Sequence, residues 1–438
     1  MKTELLYSWG LFPPFGQTPH PVFWRKDLND TMAKLVRDHG STLAFGNGLS
    51  YGDSCLALSD QVLHLRHLKR FIFADWERGV LRAEAGVSLE EVLALSIPNG
   101  WFLPVTPGTR HVTLGGALAN DVHGKNHHVG GTFGCHVKRF CLLRSDGSEL
   151  ICSVDENAAL FRATIGGLGL TGIILWVEFS LLAIASRDMN VLNLRFGGLD
   201  EFFALSSELD HIHEYTVSWI DCLAKGRNLG RGIFMAGNHA KEGPLLPDTG
   251  ARPGIPFTFP FSAVNNLTLP WMNRLYYQMA SPGRKYISQS YAPFFYPLDS
   301  IAEWNRCYGK KGFQQYQCVI PEKEAEHGIR KLLAMISGSA TGSFLAVLKR
   351  CGNIPSPGLM SFPLPGITLA LDFPRRDLND DLFKKMDALL RETGGRLYPA
   401  KDTVMSASDF KHFYPQWEEL EALRDSGLCS RFWKRVIS

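Results

Sequence analysis

No stretch of the 438-residue chain approaches the roughly 18 uninterrupted apolar residues that a bilayer-spanning helix needs. The longest apolar run, around residues 173–184, is broken by Glu178 and Ser180 and reads as sheet. The opening residues MKTELLYSWGLFPPFG lack the apolar centre and small-residue cleavage site of a secretion signal. Neither sign of charge dominates: 46 Lys+Arg stand against 43 Asp+Glu, which gives no footprint for a nucleic acid. None of the nine cysteines forms a CxxC pair, so zinc-finger and thioredoxin-like chemistry lose their support. An odd cysteine count without a secretion signal predicts free thiols in a reducing, cytoplasmic compartment. No internal repeat stands out. The first glycine-rich segment, residues 45–54, lacks the G-x-G-x-x-G spacing before a helix that marks the Rossmann fingerprint.

What is present is ordinary folded-protein material, 45% hydrophobic and 20% charged. The length exceeds what one hydrophobic core usually serves, so two domains are expected. Residues 1–185 are rich in glycine and β-branched residues. Apolar runs at 61–65, 80–85 and 170–182 alternate there with turn clusters, as in α+β packing. Residues 88–97 predict a helix in which Ser88 and Glu91 form a capping box, and 32–39 predict another. From 186 to 395 the elements lengthen. Strands are predicted at 344–349 and 368–373, and helices at 322–337 and 380–393, the latter closed by Gly394-Gly395. Residues 240–270 crowd proline and glycine without periodicity and predict a mobile loop.

Two glycine-rich segments carry the functional signal. In FGNGLSYGDS (45–54), Gly46, Gly48 and Gly52 let backbone N–H groups approach an anion closely, and Ser50 adds a hydroxyl. A plain turn has the same composition, so this segment alone decides nothing. The second, PVTPGTRHVTLGGALANDVHGKNHH (104–128), sets a Pro-Gly turn and Gly115-Gly116 before Asn120, Asp121, His123, Lys125, Asn126, His127 and His128. Small-residue turns followed by so many donors suit a phosphate-rich ligand better than a bare surface loop. A metal site is the competing use of the histidines. His127 and His128 would diverge on a strand, and no Cys or carboxylate at ligand spacing completes a set, so no metal is expected.

The same order continues through TFGCHV (132–137), LFRATIGGLGLTGII (160–174), EWNRCYG (303–309), FQQYQCVIP (313–321), SFPLPGITLALDFP (361–374) and GGRLYPAKD (394–402). The series resembles the decaprenylphosphoryl-ribose oxidase family of the vanillyl-alcohol-oxidase superfamily. It covers nearly the whole chain and is weakest over 185–290. The resemblance implies an α+β fold: a PCMH-type FAD-binding domain (1–185) and a second α+β substrate (cap) domain built on an antiparallel sheet (186–395). A C-terminal segment (396–438) would return to the FAD domain and carry the catalytic lysine. FAD would lie against Gly46, Asn47, Gly48, Leu49, Ser50, Tyr51, Gly52, Asp53 and Ser54 of the first turn. Beyond it, the resemblance names Gly108, Thr113, Leu114, Gly115, Gly116, Asn120, Val122, His123, Ile174 and Tyr398. Many members of the superfamily bond the flavin covalently through a histidine just before the Ser of that turn. Here the slot is Leu49, which has no nucleophilic nitrogen, so non-covalent FAD is expected.

The implied chemistry is oxidation of a sugar secondary alcohol, the 2-hydroxyl of a polyprenyl-phosphoryl-ribose, with hydride passing to flavin N5. By resemblance Lys401 is the catalytic lysine, as base or by holding the alkoxide, with Tyr51 and His123 beside it. Gln315, Gln317 and Lys349 fall on the substrate side, the two glutamines sharing one face of a strand. Taken alone, both lysines are ordinary solvated residues. A short-chain reductase would be the partner that turns the keto sugar into the arabinose epimer. A soluble alditol or sugar-lactone oxidase and a catalytically silent flavoprotein are the alternatives, and joint retention of Tyr51, His123, Gln315 and Lys401 opposes the silent one. The family pattern breaks at Phe295, Thr368, Ala370 and Cys351, which touches substrate identity rather than the flavin turns. A lipid-linked substrate implies peripheral contact with the inner membrane. The 240–270 loop, with Phe257, Phe259 and Phe261, is the candidate for it.

Overall fold

Ser88 accepts a hydrogen bond from the Glu91 N–H while the Glu91 carboxylate accepts from Ser88, so the helix Leu89–Ser96 starts on the expected capping box. The computed structural model describes every residue except 1–3, 249, 251, 266, 281–282 and 340. Among the described residues all nine cysteines are free. The first helix runs Leu28–His39, one turn longer than predicted, because its polar first turn LNDT hides the start. Strands Ala346–Cys351 and Gly366–Pro374 and helices Glu322–Gly338 and Leu378–Thr393 lie within two residues of expectation, apart from a displaced or extended end. Gly394, at φ +66°, ends the last of these in the left-handed region that favours glycine.

Besides a two-stranded pairing of Trp101–Phe102 with Leu182–Ala183, the N-terminal part holds two larger sheets. One is parallel, with Gln61–His64 between Thr18–Pro21 and Leu43–Phe45. The other is antiparallel, ordered Phe71–Asp75, Val80–Glu84, Ile173–Ser180, Val137–Leu143, Glu149–Ser153. The centre strand is the apolar run broken by Glu178. Its buried carboxylate is paired with both Arg82 and Arg139, which lets a charge sit in a sheet interior.

The remaining sheet has eight strands, all paired antiparallel. Their order is Tyr286–Ser290, Asp188–Phe196, Gly232–His239, Tyr215–Ile220, Ala346–Cys351, Gly366–Pro374, Phe313–Pro321 and Arg396–Leu397. Tyr316, Cys318, Ile320, Leu369 and Leu371 share one core with Leu333 and Phe383 of the long helices. Each such buried side chain contributes about 1.5–3 kcal/mol. Strand side chains alternate, so burying these residues turns Gln315, Gln317, Lys349, Thr368, Ala370 and Asp372 to the opposite face. That parity builds the site. Gln315 lies opposite Asp372, and Lys349 opposite Thr368.

After Leu397 the chain runs back to the first domain, where Thr42 bridges Leu428 and Ala57 bridges Ser430. The described residues of the 240–270 segment form no regular element before the helix Thr268–Met279. It is tied down by Arg252 to Glu90 (2.8 Å) and by the Ile255 carbonyl, which accepts from Arg306 (2.8 Å).

Candidate active site

Lys401 ends a tight turn in which its N–H donates to the Tyr398 carbonyl (3.0 Å), while Tyr51 N–H donates to Ala400 (3.1 Å). The turn places Lys401 Nζ 3.7 Å from the centre of the Tyr51 ring, a cation–π approach. Burial lowers the Lys401 ammonium, and the Asp372 charge partly restores it. Asp372 responds in mirror image. Burial raises its carboxyl, which the Gln315 hydrogen bond and Lys401 then draw back. Gln315 Nε2 donates to Asp372 Oδ1 (2.5 Å) and also engages the Tyr51 hydroxyl. The other Asp372 oxygen is buried with no partner among the described residues. Tyr51, Gln315, Asp372 and Lys401 therefore form one connected group.

A second group adjoins it. The Gln317 amide donates to His123 Nε2 (3.1 Å), and the imidazole tilts over Phe362 and Tyr398. Burial, then Lys349, His127 and Lys401, hold His123 well below the usual histidine range, so it is a neutral ring. Tyr398 stacks on Phe362 with centroids 4.7 Å apart, and its hydroxyl donates to the Asn120 carbonyl (2.7 Å). Lys349 is buried and its Nζ donates to the Gly124 carbonyl (2.5 Å), while half-buried Lys125 donates to Phe294. Both ammoniums are lowered by burial, and no carboxylate among the described residues contributes to either. His127 and His128 go separate ways. His127 Nδ1 accepts from Gly352, and His128 Nε2 meets the His213 carbonyl.

The predicted cofactor residues fall largely on two turns that meet. A Cβ on Gly46 would lie 2.6 Å from Thr113 Oγ1, and Asn47 donates to the His111 carbonyl (2.6 Å). Gly48 has φ +63°, between the Phe45 ring and the Tyr7 carbonyl. The N–H groups of Asn47, Gly48, Leu49 and Ser50 find no backbone acceptor among the described residues. The Ser54 hydroxyl is buried without a partner among the described residues. Leu114, Gly115 and Gly116 open the helix Leu114–Ala119, whose cap is Thr113 Oγ1 accepting from Gly116. Backbone donors left open on a glycine-containing turn fit the phosphates of a dinucleotide.

Other predicted residues make contacts within the protein. Asp53 directs its carboxylate to Arg435 (2.8 and 3.0 Å), which also binds Asp402 (2.8 Å). Gly52 touches the same turn so closely that a Cβ would lie 1.7 Å from the Asp402 carbonyl oxygen. The Asn120 amide is spent on the Gly116 carbonyl (2.8 Å). Val122 and Ile174 belong to the core beneath, and Gly108 is exposed.

Residues 25–153 match the FAD binding domain family. Decaprenylphosphoryl-β-D-ribose oxidase of Mycolicibacterium smegmatis is 35% identical over 97% of this chain and 94% of its own length. The chain belongs to the decaprenylphosphoryl-β-D-ribose oxidase family. It is an FAD-dependent oxidoreductase with a PCMH-type FAD-binding domain in an α+β fold. An uncharacterised protein of Streptomyces coelicolor is 31% identical over 77% of this chain and 95% of its own length. The L-gulonolactone oxidase of Mus musculus matches only 39% of the chain at 27% identity, thin support for a lactone-oxidase alternative.

One residue of this cluster, Asp372, escaped sequence reasoning. Asp372 sits in LALDFP, where alternation from Thr368 and Ala370 puts it on the polar face. That parity was the available signal. Lys125 stood within the polar cluster, but nothing in its spacing sets it apart from its neighbours. Of the departures from the family pattern, Ala370 lies opposite Gln317 and Val347 on the site face, and Thr368 Oγ1 donates to the Cys318 carbonyl (2.8 Å). Phe295 and Cys351 are buried.

Proposed function

We propose that this oxidoreductase oxidises the 2-hydroxyl of a ribose linked through phosphate to a polyprenyl chain, yielding the 2-keto sugar. The observation that carries this reading is the pair Lys349 and Lys125. Two ammoniums are drawn out of water against main-chain carbonyls, with no carboxylate among the described residues contributing to the charge of either. Such an arrangement costs free energy unless an anion supplies the missing charge, and a phosphate meets that need where a neutral alditol does not. Beside it, Gln317 and neutral His123 orient the sugar by hydrogen bonds. Lys401, brought toward neutrality by burial, accepts the hydroxyl proton at Nζ. Asp372, fixed by Gln315, sets the charge of that lysine. Bound FAD supplies the hydride acceptor. With Leu49 in the covalent slot, the flavin is held without a covalent bond. A short-chain reductase then completes an epimerisation to arabinose, and the enzyme meets its lipid-linked substrate by peripheral contact at the inner membrane.

Anaerobic titration tests the reading. Farnesylphosphoryl-ribose should bleach the yellow protein while free alditols and gulonolactone leave it oxidised, and acid precipitation should release the flavin into the supernatant. Bleaching by alditols, with none by the phosphorylated sugar, would select the soluble-oxidase alternative.

A further inference from the structure

The helix Thr268–Met279 has two faces of opposite character. On the inner side Asn273 is fully buried and donates to Asp221 (2.8 Å), and Tyr276 packs edge-on to Trp219 with centroids 4.8 Å apart. Leu269 joins the apolar cluster that contains Tyr51, Tyr308 and Phe313. The helix is thus anchored on the wall of the active site. On the outer side Leu267, Trp271, Leu275 and Met279 recur every fourth residue and are 83, 75, 62 and 75% exposed. That spacing aligns them in one stripe. Phe257 and Phe261 of the preceding segment are exposed as well. Scattered exposed apolar residues are ordinary. A row of them on an anchored helix is a contact surface.

Charge and position say what meets it. From Thr249 to Leu298 the sequence holds no Asp or Glu, yet it holds Arg252, Arg274, Arg284 and Lys285. Arg252 and Arg284 are engaged by Glu90 and Glu208. Arg274, three residues from Trp271, and Lys285 are exposed. Lys310 and Lys311, also exposed, follow Gly309, which abuts the Phe261 backbone. Positive charge flanking an apolar stripe complements anionic headgroups above acyl chains, whereas a second copy of the surface would oppose like charges.

We propose that the outer face of the helix Thr268–Met279 docks the enzyme on an anionic lipid bilayer. The sugar of the lipid-linked substrate then reaches Lys401 on the inner side while its chain stays in the membrane. This rests on the substrate class proposed above. It moves the main membrane contact from the 240–270 loop to the helix that follows, since Phe259 is half-buried beside Phe257, with ring centroids 5.6 Å apart.

The test uses the full-length holoenzyme, without substrate, and flotation on phosphatidylcholine vesicles with and without phosphatidylglycerol. The enzyme should float with the mixed vesicles only. The triple substitution Trp271→Ser, Leu275→Ser, Met279→Ser should weaken binding about tenfold or more, while the flavin stays bound and farnesylphosphoryl-ribose still reduces it. Arg274→Gln with Lys285→Gln should weaken binding at low salt and leave the remainder less salt-sensitive. Equal flotation of wild type and triple variant, or none by wild type, overturns the proposal. A dimer in equilibrium sedimentation that the triple variant abolishes assigns the stripe to a second copy and overturns it too. Because the flotation itself is run without substrate, failure here leaves the sugar-oxidation reading standing, and failure of that reading leaves vesicle binding to be judged on its own.

Discussion

Lys401 owes its proposed role to its surroundings: a lysine in water is an inert cation, and here burial brings it toward neutrality against the opposing pull of Asp372 and the Tyr51 ring face. Lys401→Ala should therefore retain FAD but lose roughly 100-fold in anaerobic flavin reduction, the scale for removing a positioned acid–base group. Reduction near the wild-type rate would take Lys401 out of the mechanism. Lys125 gives a pH signature. Burial first, then Lys349, push its ammonium down to about 7. The free enzyme is charged there below that pH and must take up a proton to bind phosphate above it. The Kd of farnesylphosphoryl-ribose should be flat below about pH 6 and rise toward tenfold per unit above 7, and Lys125→Met should weaken binding at low pH and flatten the profile. A flat wild-type titration would separate Lys125 from the phosphate. The family resemblance nominated Lys401 and Gln317, which residue type alone would leave as ordinary polar positions, while His123 also stood in the polar cluster of the second glycine-rich segment. Asp372 was legible only through strand parity, because an isolated Asp before Phe-Pro says nothing until its face of the sheet is known.

At the scale of elements, local signals located what local physics decides. The Ser88–Glu91 box and the Gly394 stop mark their helix ends because each is a contact between near neighbours. Sheet order was beyond reach, since it depends on pairings such as Thr18–Pro21 with Gln61–His64, separated by some forty residues. The role of the last helix, Arg431–Ile437, was equally hidden. Its Arg435 clamps Asp53 of the flavin turn and Asp402 of the lysine turn, joining residues far apart in sequence. Arg435→Gln should leave two buried carboxylates facing each other and destabilise the fold by roughly 3–5 kcal/mol, with weaker FAD retention, read by urea melts and flavin release. An unchanged melting midpoint would make the clamp incidental.

For the whole molecule, one sheet face does two jobs. Its covered side builds a core with the long helices, and its other side presents Gln315, Gln317, Lys349 and Asp372 to the flavin domain. Membership of the decaprenylphosphoryl-β-D-ribose oxidase family rests on a match along 97% of the chain, and the departures at Thr368 and Ala370 lie on that shared face. The central claim is therefore about which carbon of the sugar is oxidised there. Stopped-flow anaerobic reduction with farnesylphosphoryl-ribose deuterated at C2 tests it most directly. The account predicts a severalfold slower flavin reduction with the C2-deuterated sugar and an unchanged rate when deuterium is at C3. Slowing by the C3 label, with none from C2, would contradict it.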